Sequence, residues 1–98
     1  MISQNDYILR FLEVAAKEFN KLDPSIQVQI IEKLKEILKD PYNAPRLTGK
    51  LKNCFKVKLR SAGYRLVYTV NDREVEILVI AVGKRDKKAV YKMAMKRV

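Results

Sequence analysis

The sequence predicts an α+β fold: strand, two helices, a three-stranded antiparallel meander and a closing helix, arranged around a mostly antiparallel sheet. Three observations predict it. Residues 55–68, FKVKLRSAGYRLVY, alternate apolar and cationic residues on both sides of a Gly, as two half-buried strands joined by a tight turn do. Residues 24–39 place Ile26, Ile30, Leu34, Ile37 and Leu38 on one stripe at helical spacing. Residues 74–82, EVEILVIAV, end as a continuous apolar run, the mark of a strand buried on both faces.

Taken in order, residues 7–12 (YILRFL) predict a short strand, and Val14, Ala15, Phe19 and Leu22 a helix over about 13–22. Asp23-Pro24 restarts the chain, with Asp23 as N-cap and Pro24 at the first helical position, where a missing N–H costs nothing. The long helix runs to Lys39 and ends at Asp40-Pro41. Two prolines and Gly49 make 41–53 a connecting loop.

Strands follow at about 54–61 and 64–71. With Ala62-Gly63 as a two-residue turn, Ser61 faces Tyr64, Arg60 faces Arg65 and Lys58 faces Val67. Phe55, Val57 and Leu59 then share a face with Tyr64, Leu66, Tyr68 and Val70. A slip of one residue would bury Arg65 and expose the tyrosines, which burial forbids. Asn71-Asp72 suits the next turn, and Glu74–Val82 a central strand. Gly83-Lys84-Arg85 is expected to leave the sheet, Asp86 to cap, and Lys87–Arg97 to form the last helix.

At 98 residues the chain reads as one domain, 1–98, with room for one modest core. Twenty-one Lys and Arg against 11 Asp and Glu give a formal charge of +10, which favours a polyanionic partner. Nucleic acid, an acidic protein and a membrane surface all meet that description. No signal peptide or membrane-spanning run is legible, and a single Cys54 excludes an internal disulfide, so a cytoplasmic location and no membrane partner are expected. Cys54 itself reads as a small packed hydrophobe. The absence of histidine removes the usual general base and the commonest zinc ligand. Catalysis by this chain falls to Lys, Arg, Tyr or carboxylates.

Hydrophobic sorting places Lys56, Lys58, Arg60 and Arg65 on one sheet face, with no acidic residue between Asp40 and Asp72. A solvated basic face explains one or two such charges. Four together repel one another and favour an anion site. Arg85 follows the central strand, and Tyr91 lies about one and a half turns into the last helix, where packing and a site role both fit it.

At these residues the chain resembles a known family. Residues 54–68, CFKVKLRSAGYRLVY, and 82–91, VGKRDKKAVY, with the Leu47-Thr48-Gly49 loop before them, are similar to the signature segments of RelE-type toxins of the bacterial RelE/ParE superfamily. The resemblance implies a compact RelE-like fold and a type II toxin–antitoxin toxin that cleaves mRNA in the ribosomal A site. It places the essential positions on Lys56, Lys58, Arg65, Arg85 and Tyr91, without cofactor or metal. It implies the ribosome and mRNA as partners, together with a cognate, usually acidic antitoxin that displaces the terminal helix 87–98. The toxin–antitoxin complex is expected to be a higher-order assembly. The Glu/His acid–base pair of some relatives is missing, which fits the RelE branch.

The chemistry of these side chains agrees. Attack by a 2′-hydroxyl on the adjacent phosphate needs a base, positive charge for the phosphorane and an acid for the leaving 5′-oxygen. Lys56 and Lys58 together supply a candidate base, and Arg65 a planar fork for the phosphate. Arg85 stabilises the same charge or serves the leaving group, and Tyr91 stacks on a base or orients the nucleophile. Arg60, Lys84, Lys87 and Lys88 are expected to hold RNA phosphates. Two rival functions remain: a ParE-like toxin that inhibits gyrase, and a non-enzymatic basic module that binds RNA or an antitoxin.

Overall fold

The computed structural model describes residues 7–47, 49–51, 53–59, 63–84 and 89–97, with Lys50 and Ala89 described in backbone alone. The elements are β1 (Ile8–Phe11), α1 (Glu13–Asn20), α2 (Pro24–Lys39), a 3-10 turn (Gly49–Leu51), β2 (Cys54–Leu59), β3 (Tyr64–Asn71), β4 (Glu76–Lys84) and α3 (Ala89–Arg97). They form the predicted α+β fold around one four-stranded sheet of order β1-β4-β3-β2. β1 runs parallel to β4, and the other two pairings are antiparallel.

β4 is apolar from Ile77 to Val82 because it lies between two strands and beneath two cores. Ile77, Val79 and Val82 face the core under α1 and α2, with Phe55, Val57, Leu59, Leu66 and Tyr68. Ile80 and Ala81 face a smaller core on the other side, with Leu51, Cys54, Val67, Val90 and Ala94. A bulge reconciles the two. Val67 pairs with Ala81 and Tyr68 with Val79, leaving Ile80 unmatched so that two successive side chains turn toward α3.

α2 matches its predicted span, and Ile30, Leu34 and Ile37 are buried along its stripe. Asp23 sits at the N-cap, but its side chain makes no capping bond; its backbone carbonyl accepts from Ile26 and Gln27 instead, each at 3.0 Å. Pro24 at the first position therefore starts this helix without the expected carboxylate cap. α1 ends at Asn20, and the Gln27 amide nitrogen donates to the Phe19 carbonyl at 2.9 Å, tying the two helices together.

The hairpin corrects the predicted register. Leu59 pairs with Tyr64, Lys58 with Arg65 and Lys56 with Val67, so every pair is displaced by two residues from expectation. Residues 60–63 connect the strands, and Gly63 (φ 67°) donates its N–H to the Leu59 carbonyl at 3.0 Å. A two-residue displacement keeps every side chain on its own face, so the sorting of apolar from cationic residues survives unchanged. Lys58 and Arg65 become direct cross-strand neighbours. β4 also runs further than predicted: Gly83 and Lys84 remain in the sheet opposite Arg65 and Tyr64. Asp86 lies outside the described residues.

At the other end of the sheet, the Tyr7 and Tyr42 hydroxyls donate to the two oxygens of Asp72, at 2.9 and 2.5 Å. The hydrogen bond from Tyr42, then that from Tyr7, holds the Asp72 carboxyl below its usual range. The same carboxylate pushes Tyr42 up to about 12 and raises Tyr7. Because Asp72 is depressed in the folded state, its contribution is complete above the ordinary carboxylate range near pH 4 and is lost as pH falls through the folded value. The raised phenols contribute up to about pH 10, and that contribution fades as pH rises toward the folded values. Thermal midpoints between pH 2 and 5 are expected to fall more steeply for the parent than for Asp72→Asn. Parallel acid limbs would remove this account of the cluster.

Candidate active site

The site is built where the hairpin end of the sheet meets α3. Arg65, the second residue of β3, lies between Lys58 on β2 and Gly83 on β4. Its guanidinium Nη1 donates to the Tyr91 hydroxyl at 2.8 Å, and the guanidinium carbon lies 5.9 Å from the centre of the Tyr91 ring. Both residues are half-buried. The ring and the fork thus hold each other in place while remaining within reach of solvent, a geometry suited to gripping a phosphate beside a base.

Tyr91 reaches Arg65 because α3 lies close on the sheet. The backbone at Gly83 explains the closeness: a Cβ there would meet the Met93 Cε at 3.3 Å and the Val90 Cβ at 3.8 Å. Methionine's terminal methyl can yield to an alanine. A branched side chain would push against Val90 and lift the helix. Gly83→Val is therefore expected to break the Arg65–Tyr91 bond, seen as a change in the Tyr91 ring resonances, whereas Gly83→Ala preserves it. Resonances unmoved by valine would contradict this role for Gly83.

The cationic face is less open than its alternation implies. α3 covers its middle, burying Cys54, Val67, Ile80 and Ala81 under Val90 and Ala94. Cys54 is buried as expected, and burial pushes its thiol up, away from the reactive thiolate. The cations are thereby confined to the hairpin end. Lys56 is half-buried and Lys58 exposed on the edge strand β2. The loop backbone covers the first part of that edge: Leu47 N–H donates to Cys54 at 3.0 Å and Lys56 N–H to Pro45 at 3.1 Å.

Both lysines also line a cleft of about 470 Å³ between β2 and the end of α2, whose wall includes Lys33, Glu36, Asp40 and Pro45. Neither Arg65 nor Tyr91 belongs to that wall. Lys56 and Lys58 thus border two surfaces, the cationic face and a cleft of mixed charge. Sequence spacing hid the second, since Glu36 and Asp40 precede the hairpin and meet it only through α2 packing. Lys84 is exposed at the end of β4, opposite Tyr64. Arg60, Arg85, Lys87 and Lys88 lie outside the described residues. Among the predicted catalytic residues, Lys58, Arg65 and Tyr91 are brought together directly, with Lys56 one strand repeat away. Gly83, which sets the approach of α3, was read from the sequence only as the point where the chain leaves the sheet; a Gly at the end of a continuous apolar strand is the signal of its packing role.

Comparison with known proteins gives a consistent answer. Residues 9–89 match the sequence model of the family described as the ParE toxin of the type II toxin–antitoxin system, parDE. The chain is 47% identical over 93 residues to the mRNA interferase toxin RelE of Escherichia coli K12, covering 94% of this chain and 97% of that one. The mRNA interferase RelE of Shigella flexneri matches to the same extent. Among solved structures, a free-state double arginine-to-alanine mutant of E. coli RelE superposes with a TM-score of 0.83 at 46% identity, over 94% of this chain and 97% of that one. The toxin of the intact E. coli RelBE toxin–antitoxin complex superposes at 0.75 with 43% identity, over 83% and 99%. The chain belongs to the RelE/ParE superfamily of type II toxin–antitoxin toxins, on the branch of the RelE mRNA interferases.

Proposed function

We propose that this protein is a ribosome-dependent endoribonuclease that cleaves mRNA in the ribosomal A site and so stops translation. The juxtaposition of Lys58, Arg65 and Tyr91 carries the proposal, since it gathers charge, a phosphate fork and a stacking ring at one end of the sheet. The relatives' description as mRNA interferases supplies the substrate class. In the reaction, the 2′-oxygen bonds to the neighbouring phosphorus as its proton passes to a base, for which Lys56 and Lys58 are the candidates. Arg65 stabilises the charge on the phosphorane oxygens. The bond from phosphorus to the 5′-oxygen breaks, and that oxygen takes a proton, leaving a 2′,3′-cyclic phosphate and a 5′-hydroxyl. Arg85, an essential position by the family resemblance, stabilises the same charge or serves the leaving group.

Such a site is rich in positive charge and poor in groups that move protons near neutral pH. Much of its rate must come from holding the message in an attack-ready geometry. The ribosome would supply that geometry, with Lys84, Lys87, Lys88 and Arg60 on RNA phosphates. A cognate antitoxin is proposed by analogy with the RelB-bound structures of relatives, with a cytoplasmic setting to match. Purified protein added to programmed ribosomes is expected to cut the message there and to leave the same RNA intact when free. An intact message together with loss of gyrase supercoiling would transfer the protein to the ParE-like function.

A further inference from the structure

A second polar cluster stands at the far end of α3, away from the cations. The Arg97 Nη2 donates to Glu18 Oε2 at 2.7 Å, and Nη1 to Glu18 Oε1 at 2.9 Å, so the guanidinium grips the carboxylate with two bonds. Arg97 Nη1 also donates to the Ile80 carbonyl at 2.9 Å, and the Val82 N–H donates to Glu18 Oε1 at 3.2 Å. Ile80 and Val82 lie past Val79, the last β4 residue paired with β1. Glu18 and Arg97 therefore complete the edge of β4 where β1 stops, and join α1, β4 and α3 at one point. Their side chains are only 22% and 19% exposed.

α3 has need of such an anchor. It is nine residues long, below the length at which an isolated helix persists in water. It buries only Val90 and Ala94 fully among its described side chains, while Met95 remains 45% exposed. Its charged residues, Lys92, Lys96 and Arg97, are all cationic, and it lies on the sheet face that carries Lys58 and Arg65. Like charge opposes its docking, and the Glu18 carboxylate is the acid that meets it.

We propose that Glu18 and Arg97 are positioning residues of the site: their ion pair latches α3 onto β4 and thereby sets how often Tyr91 meets Arg65. Neither residue touches the reacting atoms. Their effect on cleavage rests on the function proposed above, but their effect on α3 does not. Glu18→Gln keeps the shape and removes the charge; Arg97→Lys keeps the charge and removes the fork. Losing a partly buried, charge-assisted pair shifts a docking equilibrium by roughly ten- to a hundredfold.

Amide hydrogen exchange on the isolated protein tests the latch without RNA. In either variant, protection over Met93–Arg97 is expected to fall about tenfold or more, while Leu66 and Val79 in the sheet keep theirs. Unchanged protection in α3, or a fall shared equally by the sheet, would overturn the proposal. On ribosomes, Glu18→Gln is expected to lower kcat with little change in KM, and to add less than about twofold in a Tyr91→Ala background. A full additional loss in that background would mean that Glu18 does not act through Tyr91. If no variant and no parent protein cleaves message, the cleavage function fails while the exchange result still decides the latch.

Discussion

Arg65→Ala is expected to lower cleavage of ribosome-bound message by roughly 10²–10³-fold in kcat, the usual cost of removing a preorganised charge from a transition state. Two neighbours make the loss larger than that of an ordinary surface cation. Arg65 faces Lys58 across the strand pair, and its guanidinium is oriented by the Tyr91 hydroxyl at 2.8 Å. Alanine removes the fork and leaves Tyr91 without its donor. Arg65→Lys restores charge but neither the planar fork nor its geometry, so an intermediate rate is expected. Folding should be nearly untouched, because Arg65 is half-buried and the phenol it releases can turn to water. A single-turnover cleavage assay, with thermal midpoints as control, reads both effects. Cleavage by the alanine variant at the parent rate would remove Arg65 from the mechanism.

Tyr68→Ala is expected to have the largest effect on stability, about 3–5 kcal/mol, as for other large buried aromatics. Tyr68 is fully buried and stacks on Phe55 at 5.3 Å between ring centres, while its hydroxyl donates to the Pro41 carbonyl at 2.8 Å. Burial, with a smaller contribution from Asp40, pushes the phenol up to about 12, so it stays a neutral donor across the working range. This one side chain fixes β3 to β2 and to the segment that follows α2. A domain of this size is stable by only about 5–15 kcal/mol, so the alanine variant should stand near the unfolding threshold. Tyr68→Phe keeps the stack and leaves the Pro41 carbonyl unpaired, at a cost of about 1–3 kcal/mol. Urea denaturation separates the three proteins. A Tyr68→Ala loss below that of Tyr68→Phe would contradict the role assigned to the ring.

Side-chain alternation explains why the faces of the hairpin were legible while its register was not. Burial punishes a slip of one residue, since it would put Arg65 into the core. A slip of two changes nothing in that sorting. The difference lay in the connection, where residues 60–63 replaced the predicted two-residue turn. The same limit hid the end of β4. Gly83 reads locally as a strand breaker, but the approach of Met93 and Val90 from α3 makes a missing side chain useful inside the strand. The smaller core was foreshadowed by Val67 among the cations, a hydrophobe on a face otherwise expected to be open. Glu18 and Arg97 lie 79 residues apart and carry no pattern that sequence spacing can detect. The placement of Lys56, Lys58 and Arg65 on one face, by contrast, was legible because strand parity and residue type fix it together, whereas Tyr91 reaches Arg65 only through the packing of α3.

The most direct measurement places a single 2′-deoxy or 2′-O-methyl nucleotide immediately 5′ of the cut position in a ribosome-bound message. If the cation cluster promotes attack by the neighbouring 2′-hydroxyl, cleavage at that position disappears, while an unmodified message yields a 2′,3′-cyclic phosphate and a 5′-hydroxyl. Undiminished cleavage of the blocked message would contradict that mechanism.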